Sequence, residues 1–307
     1  MSLSIGVVED NKDPLKQGRV RVRILGVHSE IKIKSDTAGA STEELPWSQV
    51  MMPNTSASIS GIGETSQILQ GSWVVLAKLD ETFNRIIILG TLQSNPTLSA
   101  NVNIGFNDPD GVYPTIINEP DVNRLARNEN ISQTIVKTKS DNRFIDIPKA
   151  DGSMWYEPKY IPQTVYPYNE VKETSSGHII EFDNTDGHER IHEYHKSGTF
   201  YEIGSDGTKV TKIYGDNYRI VINNENVYIS GDRSITVDGV SNVLIRGRSV
   251  VSVEGNADIS VSGDSMLAVA GDAVVEASGD ITQTANGDIN IDAGGNVNIT
   301  GTIINLN

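Results

Sequence analysis

The 307-residue chain contains no cysteine, which excludes disulfides and, with them, thiolate metal and redox chemistry. It has no run of the roughly 18 consecutive apolar residues that a membrane-spanning helix needs. The first ten residues, Met1 to Asp10, carry neither a basic head nor a long apolar stretch, so no secretory signal is visible. Positive charge is also scarce: the formal net charge is −15, and beyond Arg248 there is no lysine or arginine at all. A nucleic-acid partner is not expected, because phosphate binding wants a basic surface.

The carboxy-terminal third holds a strict repeat. From Gly207 a glycine returns every eight residues, at Gly215, then with Asn223 in its slot, then at Gly231, Gly239, Gly247, Gly255, Gly263, Gly271, Gly279, Gly287 and Gly295. Asparagine is the replacement best tolerated in left-handed backbone, so these positions are expected to be corners. Asp or Asn often follows the glycine, as at Asp232, Asn256, Asp264, Asp272, Asp280, Asp288 and Asn296, which suits a solvated turn.

Between corners, apolar residues stand four and six places after the glycine: Ile235 and Val237, Val243 and Ile245, Val251 and Val253, Ile259 and Val261, Leu267 and Val269. Period-two spacing puts both on one face of a short strand. Each octad thus reads as a strand plus a corner, and a strand with one small apolar face must stack on copies of itself. Eight residues suit one side of a triangle, so three chains winding together would complete each layer. At a strand spacing near 4.8 Å, about twelve octads would extend roughly 55 to 60 Å. The alternative is a parallel β-helix of one chain, whose sides and turns normally vary in length. Calcium-binding nonapeptide repeats need a nine-residue step and are excluded. Towards the end the inward positions shrink to Val275 with Ala277, Gln283 with Ala285 and Ile291 with Ala293; Gln283 is polar and would need partners inside. Gly301 then breaks the phase, as an end cap or attachment surface would.

Residues 1–100 read as short strands, including Ser4 to Val8, Gly18 to Leu25, Gly71 to Lys78 and Arg85 to Gly90, with a turn from Asp80 to Asn84. A five-stranded closed barrel of the oligonucleotide-binding (OB) type would bury them. Arg19, Arg21 and Arg23 alternate with Val20, Val22 and Ile24 and are expected on a solvated strand face or at a subunit contact. Nucleic-acid stacking is disfavoured for want of a paired aromatic platform.

Taken with the octads, the segments Gly18 to Val22, Leu45 to Val50, Gly71 to Val75 and Arg85 to Gly90, followed by Ser176 to Gly207, resemble the phage baseplate central spike proteins without the lysozyme domain, and their type VI secretion relatives. The resemblance covers most of the chain except roughly residues 100–170. It implies an all-β protein: an OB-fold barrel over 1–100, an extended proline-rich linker or clamp with one short helix over 101–170, junction strands over 171–206, and a trimeric intertwined triple-stranded β-helix over 207–307. It implies a structural spike in the virion's tail baseplate that punctures the host outer envelope when the sheath contracts. The implied partners are two sister chains, a trimeric baseplate hub protein, the inner tail tube, a small spike-tip cap protein and, transiently, the host envelope. The alternatives are a spike of a type VI or other contractile injection system that carries effectors, and a spike with residual cell-wall hydrolase activity.

No catalytic, cofactor-binding or metal residue is expected. His188 to His192 matches the zinc-protease pattern H-E-x-x-H, which works only on a helix. The flanking turns leave room for a strand, where residues four apart lie about 13 Å from each other, too far for one metal. His192 and His195 are expected as surface or junction residues. The 101–170 interval is too short for a muramidase, and a glycosidase would need two carboxylates about 5 to 9 Å apart across a cleft. Its many X-Pro steps favour extended backbone, so Trp155, Tyr156, Tyr160, Tyr166 and Tyr168 are expected to run along a neighbour.

Overall fold

The computed structural model describes residues 2–29, 32, 39–65, 68–93, 119–129, 135–159 and 162–305. Chain contacts divide it into two units, Met1–Gly239 and Val240–Asn307.

Five strands build the first half of unit 1: β1 (Leu3–Asp10), β2 (Val20–Ile24), β3 (Trp47–Val50), β4 (Trp73–Lys78) and β5 (Ile86–Leu92). They close into a barrel in the order β1-β2-β3-β5-β4, with β3 and β5 parallel and the other pairs antiparallel. β-Branched residues dominate these strands and suit a pleated wall. Alternation sends Val8, Val20, Val22, Ile24, Val74, Leu76, Ile86 and Ile88 into one buried core. Gly6 lets β1 and β2 approach, since a Cβ there would lie 2.5 Å from Val22 Cγ1 and 2.7 Å from the Arg23 carbonyl oxygen. The five-stranded OB-type barrel is therefore present. Its third strand lies inside the Leu45 to Val50 segment.

The arginine row does not lie on a solvated face. Arg23 projects from the outer wall, yet it and Glu9 are both fully buried. Its Nε and Nη2 donate to the two Glu9 carboxylate oxygens at 2.6 and 3.0 Å, and its remaining donors reach the carbonyls of Ser29 and Ala40 at 2.6 and 2.9 Å. Thr42 Oγ1 donates to Glu9 at 2.9 Å. Arg21 stacks over Trp47 at 4.6 Å, while Arg19 pairs with Asp13 at 2.7 Å. The guanidiniums are consumed inside the unit, because the chain after β2 roofs that side of the barrel.

The second half of unit 1 is a five-stranded antiparallel meander: β8 (Asn169–Glu173), β9 (Ile179–Asp183), β10 (Arg190–Tyr194), β11 (Phe200–Ile203) and β12 (Lys209–Lys212), in order β12-β11-β10-β9-β8. The turns use Gly177, Gly187, Gly198 and Gly207, all with positive φ. The preceding segment supplies α1 (Arg124–Arg127), α2 (Ile135–Asp141) and a small hairpin of β6 (Ile147–Pro148) and β7 (Met154–Trp155). Helix α1 falls inside the 101–170 interval in which one short helix was expected. Asn123 caps it by accepting from the Leu125 N–H at 2.8 Å, and Asn128 ends it in left-handed backbone. Helix α2 was not anticipated. Leu125 and Ile135 join Ile179, Tyr194 and Phe200 in a second core.

Arg23→Met would strand a buried carboxylate. It is expected to destabilise the barrel by about 3–5 kcal/mol, read by denaturant unfolding, with part of the loss recovered when Glu9→Gln is added.

Candidate assembly surface

After Lys212 no further strand is present among the described residues. The chain instead bends at the same pair of octad places throughout, from Tyr214–Gly215 to Gly294–Gly295. The expectation of left-handed corners is met at Gly207 alone, where φ is +77° in the β11–β12 turn; no positive φ occurs at Gly215, Asn223 or the octad glycines beyond. An added Cβ would meet nothing within 4 Å at Gly215, Gly231, Gly239, Gly247, Gly255, Gly263, Gly271, Gly279 or Gly287. Neither backbone conformation nor crowding within one chain accounts for the glycines.

The expected core side chains are in solvent. Ile235 is 65% exposed, Val251 85%, Ile259 92% and Leu267 88%. The residues two places further on, Val237, Ile245, Val253, Val261 and Val269, are each about half exposed. Val243, Val275 and Ile291 are exposed as well, and Gln283 projects with them. A single chain thus presents an unpaired backbone and a continuous apolar row, each member of which would contribute roughly 1.5–3 kcal/mol on burial.

The meander has a second apolar face of this kind. Register aligns Glu170, Phe182, Ile191, Ile203 and Lys209 across the five strands. Phe182 is 48% and Ile191 41% exposed, so the greasy side of β9 and β10 faces outward in the isolated chain. The covered side carries the charges. Glu181, wholly buried, accepts from Asn169 Nδ2 at 2.6 Å and from Arg190, and pairs with His192 Nδ1 at 3.0 Å. Asp183 accepts from Thr164 and Thr185 at 2.5 and 2.6 Å, and Arg190 stands 3.8 Å from it. From α2, Lys139 Nζ donates to Glu202 at 2.8 Å and lies over the Phe200 ring at 3.9 Å.

Burial opposes the charge on Glu181, but the hydrogen bond from His192, the Arg190 guanidinium and the Asn169 amide outweigh it and hold the carboxyl down at about 2. Burial, assisted by the Lys139 ammonium, pushes the His192 imidazole below its ordinary value against the pull of Glu181.

Of the two places expected for His192, surface or junction, the surface is excluded: it lies in β10 and is completely buried. His188 sits in the turn before β10, so the H-E-x-x-H pattern spans a turn and a strand and has no helix to converge its histidines. No group of three or more His, Cys, Asp or Glu able to hold a metal occurs among the described residues. His195 is exposed and shapes the β10–β11 turn by accepting from the Ser197 N–H at 3.1 Å. Of the aromatic clamp, Trp155, Tyr156, Tyr166 and Tyr168 are all exposed, and Tyr160 lies outside the described residues. Sequence reasoning missed Lys139 and Glu202 entirely. The only signal was the alternation of charge and apolarity across Ile179 to Asp183 and Arg190 to Tyr194, which leaves open which face is inside.

The family described as the Gp5 N-terminal OB domain matches residues 26–171, a span that begins after β2 although β1 and β2 close the same barrel. The chain is similar to Protein Gp5 of Vibrio phage KVP40, with 41% identity over 263 residues covering 75% of this chain and 62% of that protein. It is also similar to the pre-baseplate central spike protein Gp5 of Enterobacteria phage T4, with 44% identity over 111 residues covering 36% of this chain and 19% of that protein. The chain thus spans less than two thirds of the length of either relative.

Both buried groups act in one direction with pH. The unfolded chain protonates His192 at the ordinary 6.5 and Glu181 at the ordinary 4.5, whereas the folded unit resists both. Stability should therefore fall as pH drops below 6.5 and fall further between 4.5 and about 2. Glu181→Gln is expected to lose about 3–5 kcal/mol at neutral pH and to flatten the lower limb, as measured by urea unfolding at stepped pH.

Proposed function

We propose that this chain, a homologue of the phage Gp5 baseplate spike proteins through its barrel region, is a structural protein of the virion tail baseplate and forms as a homotrimer the central spike that punctures the host outer envelope. The observation that carries the reading is the octad series, whose apolar row is exposed and whose glycines have no cause within one chain. Two sister chains remove both difficulties. Their strands would pair with the unpaired backbone, their side chains would cover Ile235 to Val275, and their backbones would pass close to Gly231 to Gly295, where a Cβ would intrude.

Stiffness follows from interwinding, since separating one chain would open every layer of pairing at once. In this reading the barrel over 1–100 receives axial force from the inner tail tube and a trimeric hub protein. The linker over 101–170 and the junction strands over 171–206 pass it on, and the spike over 207–307 delivers it. The outward row Phe182, Ile191 and Ile203 extends the same sister-chain contact into the meander. A cap protein on the phase-broken end beyond Gly295 completes the tip. The acidic, lysine-free stretch beyond Arg248 supports passage along an anionic envelope, because its charge opposes adhesion.

Sedimentation equilibrium tests the assembly, with a stable trimer expected and a stable monomer overturning it. Ile259→Asp would set three carboxylates into one layer and is expected to shift the protein towards monomer. Gly263→Val, harmless to an isolated chain, is expected to lower the melting temperature of the trimer; an unchanged melt would remove the close-approach explanation for the glycines.

A further inference from the structure

We propose that helix α2 is an acid-released strap, docked on the covered face of the meander with Lys139 beside His192 and let go when His192 gains a proton. The helix is seven residues long and buries Ile135 and Lys139. Lys139 reaches three groups at once: the Glu202 carboxylate at 2.8 Å, the face of Phe200 at 3.9 Å and His192 Nε2 at 3.5 Å.

The imidazole is placed so that its protonation state and the strap oppose each other. Its Nδ1 lies 3.0 Å from a Glu181 oxygen, which can only accept, so the hydrogen sits on Nδ1 and the neutral ring offers Nε2 as an acceptor to the lysine. A second proton goes onto Nε2. The ring then presents an N–H to an ammonium with which it previously bonded, and two cations face each other at short range in a buried site. The charged and titratable groups around the ring are Lys139 from α2, Glu181 and Asp183 from β9, Arg190 and Tyr194 from β10, and Glu202 from β11, with the Asn169 amide from β8. Glu181 is already shared between Asn169, Arg190 and His192. Glu202 is shared between Lys139 and Arg190. The α2 lysine can leave by lifting a short helix, whereas Glu181, Asp183, Arg190 and Glu202 are fixed in four-way backbone pairing. Relief therefore comes by undocking α2.

The strap lysine points the same way. Burial holds Lys139 down to about 8 against the attraction of Glu202, so docking favours the lysine with its proton off and costs most when it is charged. Raising pH through about 8 tightens the strap, in the same direction as the histidine; below neutrality the lysine is charged whether docked or free, and the histidine alone loosens the strap. An acid environment would thus free α2 from the meander while the strands stay paired.

The test uses the full chain, whose lack of cysteine permits a single nitroxide at the exposed Lys137→Cys position. Electron paramagnetic resonance spectra between about pH 8 and pH 5 should show the mobile fraction rising by about threefold or more, reversibly, with far-ultraviolet circular dichroism unchanged. Lys139→Met, which keeps the apolar stem, should remain docked and lose the pH response. Glu202→Gln should shift release towards higher pH. A label that stays immobile down to pH 5 on folded protein, an identical response in Lys139→Met, or no shift with Glu202→Gln would each overturn the proposal.

Discussion

An octad of this chain can pair its backbone and bury its apolar row only against something other than itself. One octad with two apolar side chains has no second layer of its own to cover them. The rest of the octad region reflects that constraint. Its apolar side chains lie in solvent, and its glycines hold places that nothing in the single chain occupies.

The barrel and meander solve the opposite problem. Each has its own apolar core, and each adds a charged cluster on the side of the sheet that a later or earlier stretch of chain covers. Glu9 with Arg23 is sealed by the segment after β2; Glu181 with Arg190 and His192 is sealed by the linker carrying α1 and α2. Ion pairs of this kind add little net stability compared with apolar packing, but they punish any misplacement of the covering chain. That is a useful property where a segment of irregular structure must lie over a sheet in one register. It also makes the covering segment responsive to protonation, which an apolar lid would not be.

Much of this was legible in residue order. The barrel strands follow from runs such as Trp73 to Lys78 and Ile86 to Leu89, and the turns flanking β10 from Gly187 and Gly198. Other features were not. Alternation in Arg19 to Ile24 identifies two faces correctly but cannot say that the outer face is roofed by residues up to twenty positions further on. The same ambiguity hid His192: β9 and β10 carry apolar residues on both faces, and the docking of α1 and α2 decides which is covered. Helix α2 itself has no apolar periodicity worth the name, because one of the two residues it buries among those whose side chains are described is a lysine.

The sequence by itself determined the eight-residue step, the alternation that makes each octad one-sided, the absence of thiol chemistry, and the likeness to phage central spikes, because these are properties of order and composition. The tertiary structure decided where the charges went. Whether an arginine, a lysine or a histidine is solvated or sealed depends on which distant backbone passes over it, and that is fixed by packing between segments that local pattern does not register. It also decided against left-handed backbone at the octad bends, since φ is set by how the chain turns in space and not by which residue could tolerate the turn.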